Sequence, residues 1–340
     1  MPKINETLLP YLKQYGKHSM AYTSLEPEME YFVVDGMGYI AYISFKHWFW
    51  AWSERKIVLA DPLCDTQNYR EIIKLFLKKY PDVIFVQSSK QMAEALHQGN
   101  YNQDGISQKG LQINQFGIET EIPIQGFSLK GKHRAKLRQW QNKCKREGVL
   151  IKEQPINECK NIDEIKTLSQ QWLSKKSSGE FGFLVRPLRF GGEPDVRYFW
   201  AYQADKLIAL ATFDPMYSDG KVVGYYHNID RLDACAPHGT SASIILEAIN
   251  VFEKEGKQFV SLGMSPLYLY GGARQEINHH KFTRKAFFYA YEKLNFIYPF
   301  KGNYSHKSKF NGDKKFVYIS STKGTGLWQV FVMMKAIKMI

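Results

Sequence analysis

The stretch YFWAYQADKLIALATFDPMYSDGKVVGYYHNIDRLDACAPHGTSASIILEAINVFEKEGKQFVSL, residues 198–262, holds three β-type runs, a helix and a fourth β run, in that order. Tyr198–Tyr202, Leu207–Phe213 and Val222–His227 are rich in aromatic and β-branched residues, with turn residues between them. Thr240–Glu255 repeats its apolar residues at helical spacing (Ile245, Ala248, Ile249, Phe252), and Gly256 supplies a C-cap. Phe259–Leu262 reads as a short buried strand.

The same order occurs earlier. Glu30–Val34, Tyr39–Phe45 and Lys56–Leu59 are β-type, the first two separated by Asp35-Gly36-Met37-Gly38, and Asp61-Pro62 ends the third. A helix from about Gln67 to Tyr80 follows, with Tyr69, Ile73, Phe76 and Tyr80 on one face; Pro81 stops it, and Asp82–Gln87 is a buried strand. Asp214-Pro215 echoes Asp61-Pro62 in composition, though not in position. Strand-strand-strand-helix-strand, met twice, is an internal repeat, and its order is that of the GNAT core. The expected fold class is α/β (α+β): two tandem GNAT-like domains, residues 1–126 and 127–340, each a mixed, mostly antiparallel sheet flanked by helices. A short amphipathic helix over 4–15 precedes the strands of the first. A basic helix, Gly131–Glu147, links the two, with Leu137, Trp140 and Cys144 as its apolar stripe. The apolar tail from Leu327 to Ile340 reads as a terminal helix that either packs on the body or lies in a membrane interface.

With 46 Lys and Arg against 33 Asp and Glu, the 340-residue chain carries a net charge of +13. Such a surplus favours anionic partners: nucleic acid, an anionic bilayer, phosphate-bearing substrates. The four cysteines (Cys64, Cys144, Cys159, Cys235) lie far apart, which argues against a zinc site or a disulfide framework and fits a reducing cytosol. The N-terminus lacks a signal-peptide core. The most apolar stretch, Gly38–Trp52, is broken by Lys46 and His47 and is too short to span a bilayer.

Three segments stand out chemically. From Lys130 to Arg146 there are eight Lys or Arg and no acid, so Lys132, Lys136, Arg138 and Lys143 are candidates for meeting the phosphates of a polyanion. In Arg231–Ser243 (RLDACAPHGTSAS), Gly239 permits close backbone approach and Thr240 or Ser241 would cap the helix that follows, next to its anion-attracting N–H groups. The Arg/Gln-x-x-Gly-x-Gly/Ala spacing of acetyl-CoA sites is missing there. Lys301–Phe310 (KGNYSHKSKF) is basic and aromatic, and an extended chain would put Lys307 and Lys309 on one side. His279-His280 reads as an incidental pair, and no metal-ligand spacing occurs.

Together these segments resemble the C-terminal domain of bacterial phosphatidylglycerol lysyltransferases, the multiple peptide resistance factor family, over roughly residues 16–320. The resemblance is carried by Lys17-His18-Ser19-Met20-Ala21-Tyr22; by Ala60-Asp61-Pro62, where the family has Gly-Asp-Pro; and by Gly131-Lys132 with Leu137-Arg138, Asn142 and Gly148. It continues through Gln171-Trp172-Leu173, Glu180-Phe181, and Arg231 with Ala236-Pro237 and Gly239. Most specific are Ser261-Leu262-Gly263-Met264-Ser265-Pro266-Leu267, Tyr298, Phe300-Lys301-Gly302 and Lys307-Ser308-Lys309-Phe310.

The resemblance implies an aminoacyltransferase that moves an amino acid from aminoacyl-tRNA to a lipid hydroxyl, with neither metal nor acetyl-CoA. By position it marks Arg231, Glu180 and Lys307 as catalytic candidates. Asp230 joins them because the acid of the family's Asp-Leu-Met-Arg falls on Asn228 here. Lys132, Lys136, Arg138 and Lys143 of the basic helix, with Asn228, Gly239, Lys301 and Lys309, would contact substrate or tRNA. The expected partners are tRNA and an anionic phospholipid or membrane surface. The expected location is the cytoplasm, at the inner face of the membrane. The rival readings are a CoA-dependent GNAT-type acyltransferase and a non-catalytic tRNA- or membrane-binding protein.

Overall fold

The computed structural model describes residues 7–46, 54–99, 101, 110–159, 162–174, 186–269, 279–296 and 298–336. Helix α1 (Leu9–Tyr15) precedes β1 (Glu30–Val34), β2 (Gly38–Lys46), β3 (Glu54–Leu59), the two-residue β4 (Leu63–Cys64), α2 (Tyr69–Lys79), β5 (Val83–Ser88), α3 (Lys90–Gln98) and β6 (Gln112–Pro123). Then come α4 (Ala135–Arg146), β7 (Leu150–Glu153), α5 (Ile162–Ser174), β8 (Arg197–Gln203), β9 (Lys206–Ser218) and β10 (Lys221–Leu232). The chain ends with α6 (Thr240–Lys254), β11 (Phe259–Pro266), α7 (Lys281–Lys293), α8 (Phe300–Ser308), β12 (Asp313–Ser321) and α9 (Leu327–Ala336).

The internal repeat is present in the pairing. Strands β1, β2 and β3 are antiparallel neighbours, and β3 pairs in parallel with β5 across the α2 crossover. Strands β8, β9 and β10 repeat this, with β10 parallel to β11 across α6. The strand order β1-β2-β3-β5-β12-β6-β11-β10-β9-β8-β7 reads alike from either end once the edge strand β7 is set aside. The two middle strands are exchanged. Strand β6 follows the first repeat but pairs with β11 of the second, and β12 follows the second but pairs with β5 of the first. They also pair with each other, so the sheet is continuous across the boundary expected near Phe127.

Alternation along the strands decides which face each side chain enters. Tyr39 and Ala41 of β2 join a core shared with Trp200 and Leu210 of the second repeat. Their neighbours Ile40 and Tyr42 join a separate core under α2 and α3, with Ile72, Phe76 and Leu96. Ala209 and Ala211 of β9 join a third, with Leu137 of α4 and Ile245 and Phe252 of α6. Asp214-Pro215 lies inside β9 and ends nothing. It shares its composition with Asp61-Pro62 but not its structural role.

Ala60 has φ 59°, the left-handed region, at the position where the resembling family carries Gly. Ala60→Gly is expected to stabilise the chain by roughly 0.5–1 kcal/mol, the left-handed penalty of an L-residue less the entropy cost of Gly. Urea titration of the two proteins reads this directly.

Candidate active site

In the first repeat the parallel strands stay zipped: β3 and β5 pair from Lys56↔Val83 to Leu59↔Val86, and the Ala60 N–H continues the ladder to the Val86 carbonyl at 2.8 Å. In the second they part early. Strands β10 and β11 pair only at Gly224↔Phe259, Tyr225↔Val260 and Tyr226↔Ser261. Beyond that, β10 shifts register against β9 between His227 and Asp230, and β11 shifts against β6 between Ser261 and Met264. The carboxyl ends of parallel strands are where open α/β sheets hold their ligands. Here the opening exists in one repeat and not in the other.

Helix α8 delivers Lys307 to this opening, where its Nζ donates to the Met264 carbonyl at 2.8 Å. Burial pushes the Lys307 ammonium down to about 7, against a smaller opposing pull from the Glu119 carboxylate. Glu119 is buried and accepts from Ser19 Oγ at 3.0 Å and Ser261 Oγ at 2.6 Å. Two imidazoles line the same region. Burial lowers His227 to about 3 and His306 to about 4, the latter against the opposing charge of Asp230. Both are therefore neutral at physiological pH. Trp140 of α4 stands edge-on to His238 at 5.2 Å between centroids and nearly parallel to His306 at 6.1 Å. Among the described residues, His227 Nε2, His306 Nε2, Asn228 Oδ1 and Trp140 Nε1 are buried without a hydrogen-bond partner. A bound polar group would satisfy them.

Arg231 and Asp230 are brought close but to opposite sides of the sheet, as their adjacency on a strand requires. Asp230 accepts from Ser241 Oγ of α6 at 2.5 Å, whereas the buried Arg231 guanidinium sits 3.9 Å from the centroid of Trp172 on α5. Glu180 lies outside the described residues. Lys307 and Lys309 do not share a side: the segment is helical through Ser308, and two positions along a helix differ by about 200°. Lys301 is exposed and pairs with Glu292 at 2.7 Å.

The basic helix is present, but its cations do different jobs. Lys132 and Lys136 are exposed, the latter 5.8 Å over Trp140. Lys143 pairs with Glu147 at 3.6 Å. Arg138 turns back onto the Leu129 and Gly131 carbonyls, and so braces the loop before the helix. Gly239 caps α6 with φ 104°, and a Cβ there would lie 2.4 Å from Trp140 Cβ; the close approach is to α4. Neither hydroxyl caps the helix. Thr240 donates to the Pro237 carbonyl and Ser241 to Asp230. His280 does cap α7, accepting from the Thr283 N–H at 3.3 Å.

Reading the sequence alone missed His227, His306, His238 and Glu119. His227 closes a predicted strand and His306 lies inside KGNYSHKSKF, but no spacing relates them. Their meeting depends on the β10–β11 opening. Among the described residues no group of three or more His, Cys, Asp or Glu is placed to hold a metal, and no helix is long and apolar enough to cross a membrane.

Comparison with known proteins agrees with this architecture. The phosphatidylglycerol lysyltransferase of Bacillus subtilis is 22% identical over 331 residues, which is 95% of this chain and 35% of that protein. This chain thus spans about a third of the length of that curated relative. The structure of L-PGS from Bacillus licheniformis superposes with a TM-score of 0.75 at 20% identity, covering 98% of this chain and 97% of that one. The C-terminal domain of a putative lysylphosphatidylglycerol synthetase from Agrobacterium fabrum gives 0.71 at 19%, covering 97% and 95%. These likenesses establish the GNAT-like fold. With residues 10–320 also matched by the family model for the phosphatidylglycerol lysyltransferase C-terminal region, the chain belongs to that family.

Proposed function

We propose that this protein is an aminoacyltransferase that moves an aminoacyl group from aminoacyl-tRNA to the hydroxyl of a phosphatidylglycerol-like lipid. The observation that carries the reading is Lys307, a buried amine lowered to about 7 at the place where the parallel strands β10 and β11 part. A neutral amine that donates one N–H to the Met264 carbonyl keeps its lone pair for a proton. Lys307 takes the proton of the lipid hydroxyl as that oxygen attacks the aminoacyl carbonyl carbon. A new ester C–O bond forms, the C–O bond to the tRNA ribose breaks, and the proton goes to the departing ribose oxygen. Neutral His227 or His306 would donate to the developing oxyanion. Arg231 and Asp230, on the two faces of β10, and Glu180 keep their candidate roles by position. The reaction needs no metal or CoA. The name of the Bacillus subtilis relative, phosphatidylglycerol lysyltransferase, supports the choice of acceptor.

The donor's phosphates would lie along α4 and the turn before it, where Lys132, Lys136, Lys145 and Arg146 are exposed. Lys132→Glu/Lys136→Glu is expected to weaken aminoacyl-tRNA binding and to reduce the slope of log K against log salt by about 1 for each phosphate no longer neutralised. Filter binding across a salt series measures it; an unchanged slope would take tRNA off this helix. Arg138→Ala should act instead on thermal stability. The decisive assay mixes the full chain, labelled aminoacyl-tRNAs and phosphatidylglycerol vesicles. Appearance of aminoacylated lipid is the expected result, and no transfer from any charged tRNA would end the reading.

A further inference from the structure

Seven of the nine large hydrophobic side chains exposed among the described residues lie on or beside two neighbouring helices: Phe282, Phe288, Tyr289, Phe296, Leu327, Trp328 and Phe331. Phe282 is 71% and Phe296 79% exposed, a solvation cost that an ordinary surface avoids when such groups are contiguous. The two sets adjoin, because Thr283 Oγ1 at the start of α7 donates to the Thr325 carbonyl just before α9. On α7, Phe282, Lys285, Tyr289 and Glu292 follow one line of helical spacing, with Lys281 and Phe288 beside it. Thr283 and Phe287 turn the other way, into the body. On α9, Val330 and Val332 are buried while Leu327, Trp328 and Phe331 face out, so α9 packs on the body and still presents an apolar side.

Basic residues run through the patch. Lys281, Lys285, Lys293 and Lys335 are exposed, and Lys335 Nζ lies 5.9 Å from the Phe331 ring centroid. The one acid on these helices, Glu292, is paired with Lys301. Aromatic rings interleaved with lysines that have no ion pair among the described residues match the interface of an anionic bilayer: rings enter at headgroup depth and ammonium groups stay with the phosphates. A protein partner with an apolar face would leave those lysines without counter-charges.

We infer that α7 and α9 together form a docking face for an anionic lipid bilayer. The inference deepens the lipid-acceptor reading and rests on it for its purpose. Helix α7 is joined to α8 by rings that pass from Tyr291 to Tyr268 (5.6 Å between centroids) and from Tyr268 to Tyr304 (3.6 Å, stacked). Docking on α7 therefore sets the bilayer one helix away from the one that carries Lys307.

Flotation of the full chain with vesicles tests it. Wild type should float with equal parts phosphatidylglycerol and phosphatidylcholine, and far less with phosphatidylcholine alone. Phe282→Ser/Tyr289→Ser/Trp328→Ser, all at exposed positions, should keep the fold by circular dichroism and lose at least tenfold in vesicle affinity. Lys281→Gln and Lys285→Gln should each cost roughly fivefold on the anionic vesicles. The proposal is overturned if wild type ignores both vesicle types, if the triple variant floats as well as wild type, or if wild type is a dimer that the triple variant splits while vesicle affinity stays unchanged. Wild type that floats yet aminoacylates no lipid would sink the acceptor reading and leave the docking face standing.

Discussion

Lys307→Met is expected to lower kcat by about 10²–10⁴, the usual worth of a positioned general base, while making the protein harder to unfold. Both effects come from one cause. Exclusion of water from around the amine lowers it to about 7, so the free base is abundant at neutral pH. The same burial makes the ammonium form costly in the folded state. The sign follows from proton counts. The folded-state value lies below the unfolded one, so between about pH 7 and the ordinary lysine value the unfolded chain binds more protons, and stability rises with pH. Below about pH 7 both states hold the proton and the full cost remains. Methionine fills a similar volume without a charge, so the variant should gain most below neutrality and show a flatter stability profile. Wild-type kcat should climb through about pH 7 and level off above it. Urea denaturation at several pH values and a pH–rate profile test the two halves separately. A variant that kept most of its activity, or wild-type activity that fell as the amine deprotonated, would remove Lys307 from the proton transfer.

Arg186→Met should destabilise the chain by about 3–5 kcal/mol, because it strips the counter-charge from a buried cluster. Arg186 is 2% exposed and reaches three carboxylates: Asp214 at 2.8 Å, Glu26 at 3.0 Å, and Glu193. Its guanidinium also sits 4.5 Å from the Tyr22 ring centroid. Arg189 pairs with Glu26 and Glu193 but does not reach Asp214 among the contacts of the described residues. Burial already raises the Asp214 carboxyl to about 6, with Arg186 the main opposing charge. Without Arg186 that carboxyl moves higher still. A folded-state value above the unfolded one means stability falls as pH rises through the interval between them, so the deficit of the variant should widen from pH 5 to pH 8. Thermal melts of both proteins across that range read it. A deficit independent of pH would mean that lost packing, not unpaired charge, is the cause.

Much of the fold was legible because its signals are local. Glu30–Val34 matches β1 end to end, and the helix expected from Thr240 is α6. Apolar alternation and helical spacing report the neighbours of one segment, which is enough to find a repeat. Strands β6 and β12 were not anticipated. Their residues, QINQFGIETEIP and DKKFVYISS, mix polar and apolar types because Glu119 and Asn114 are buried with hydrogen-bond partners from distant segments. Lys307 was found through a family likeness, but its depressed proton affinity was not readable from KGNYSHKSKF. Helical geometry in that segment also removed Lys309 from its side.

By itself the sequence determined a basic chain with a duplicated strand-strand-strand-helix-strand unit, since side-chain pattern and turn chemistry act over a few residues. Only the tertiary structure decided that the repeats exchange their last strands into one sheet, that β10 and β11 part where β3 and β5 do not, and that Lys307, Glu119, His227 and His306 meet at that gap. Those are outcomes of backbone pairing between segments far apart along the chain. Hydrogen bonding between strands carries no mark in either strand's own composition, so the site it creates has none either.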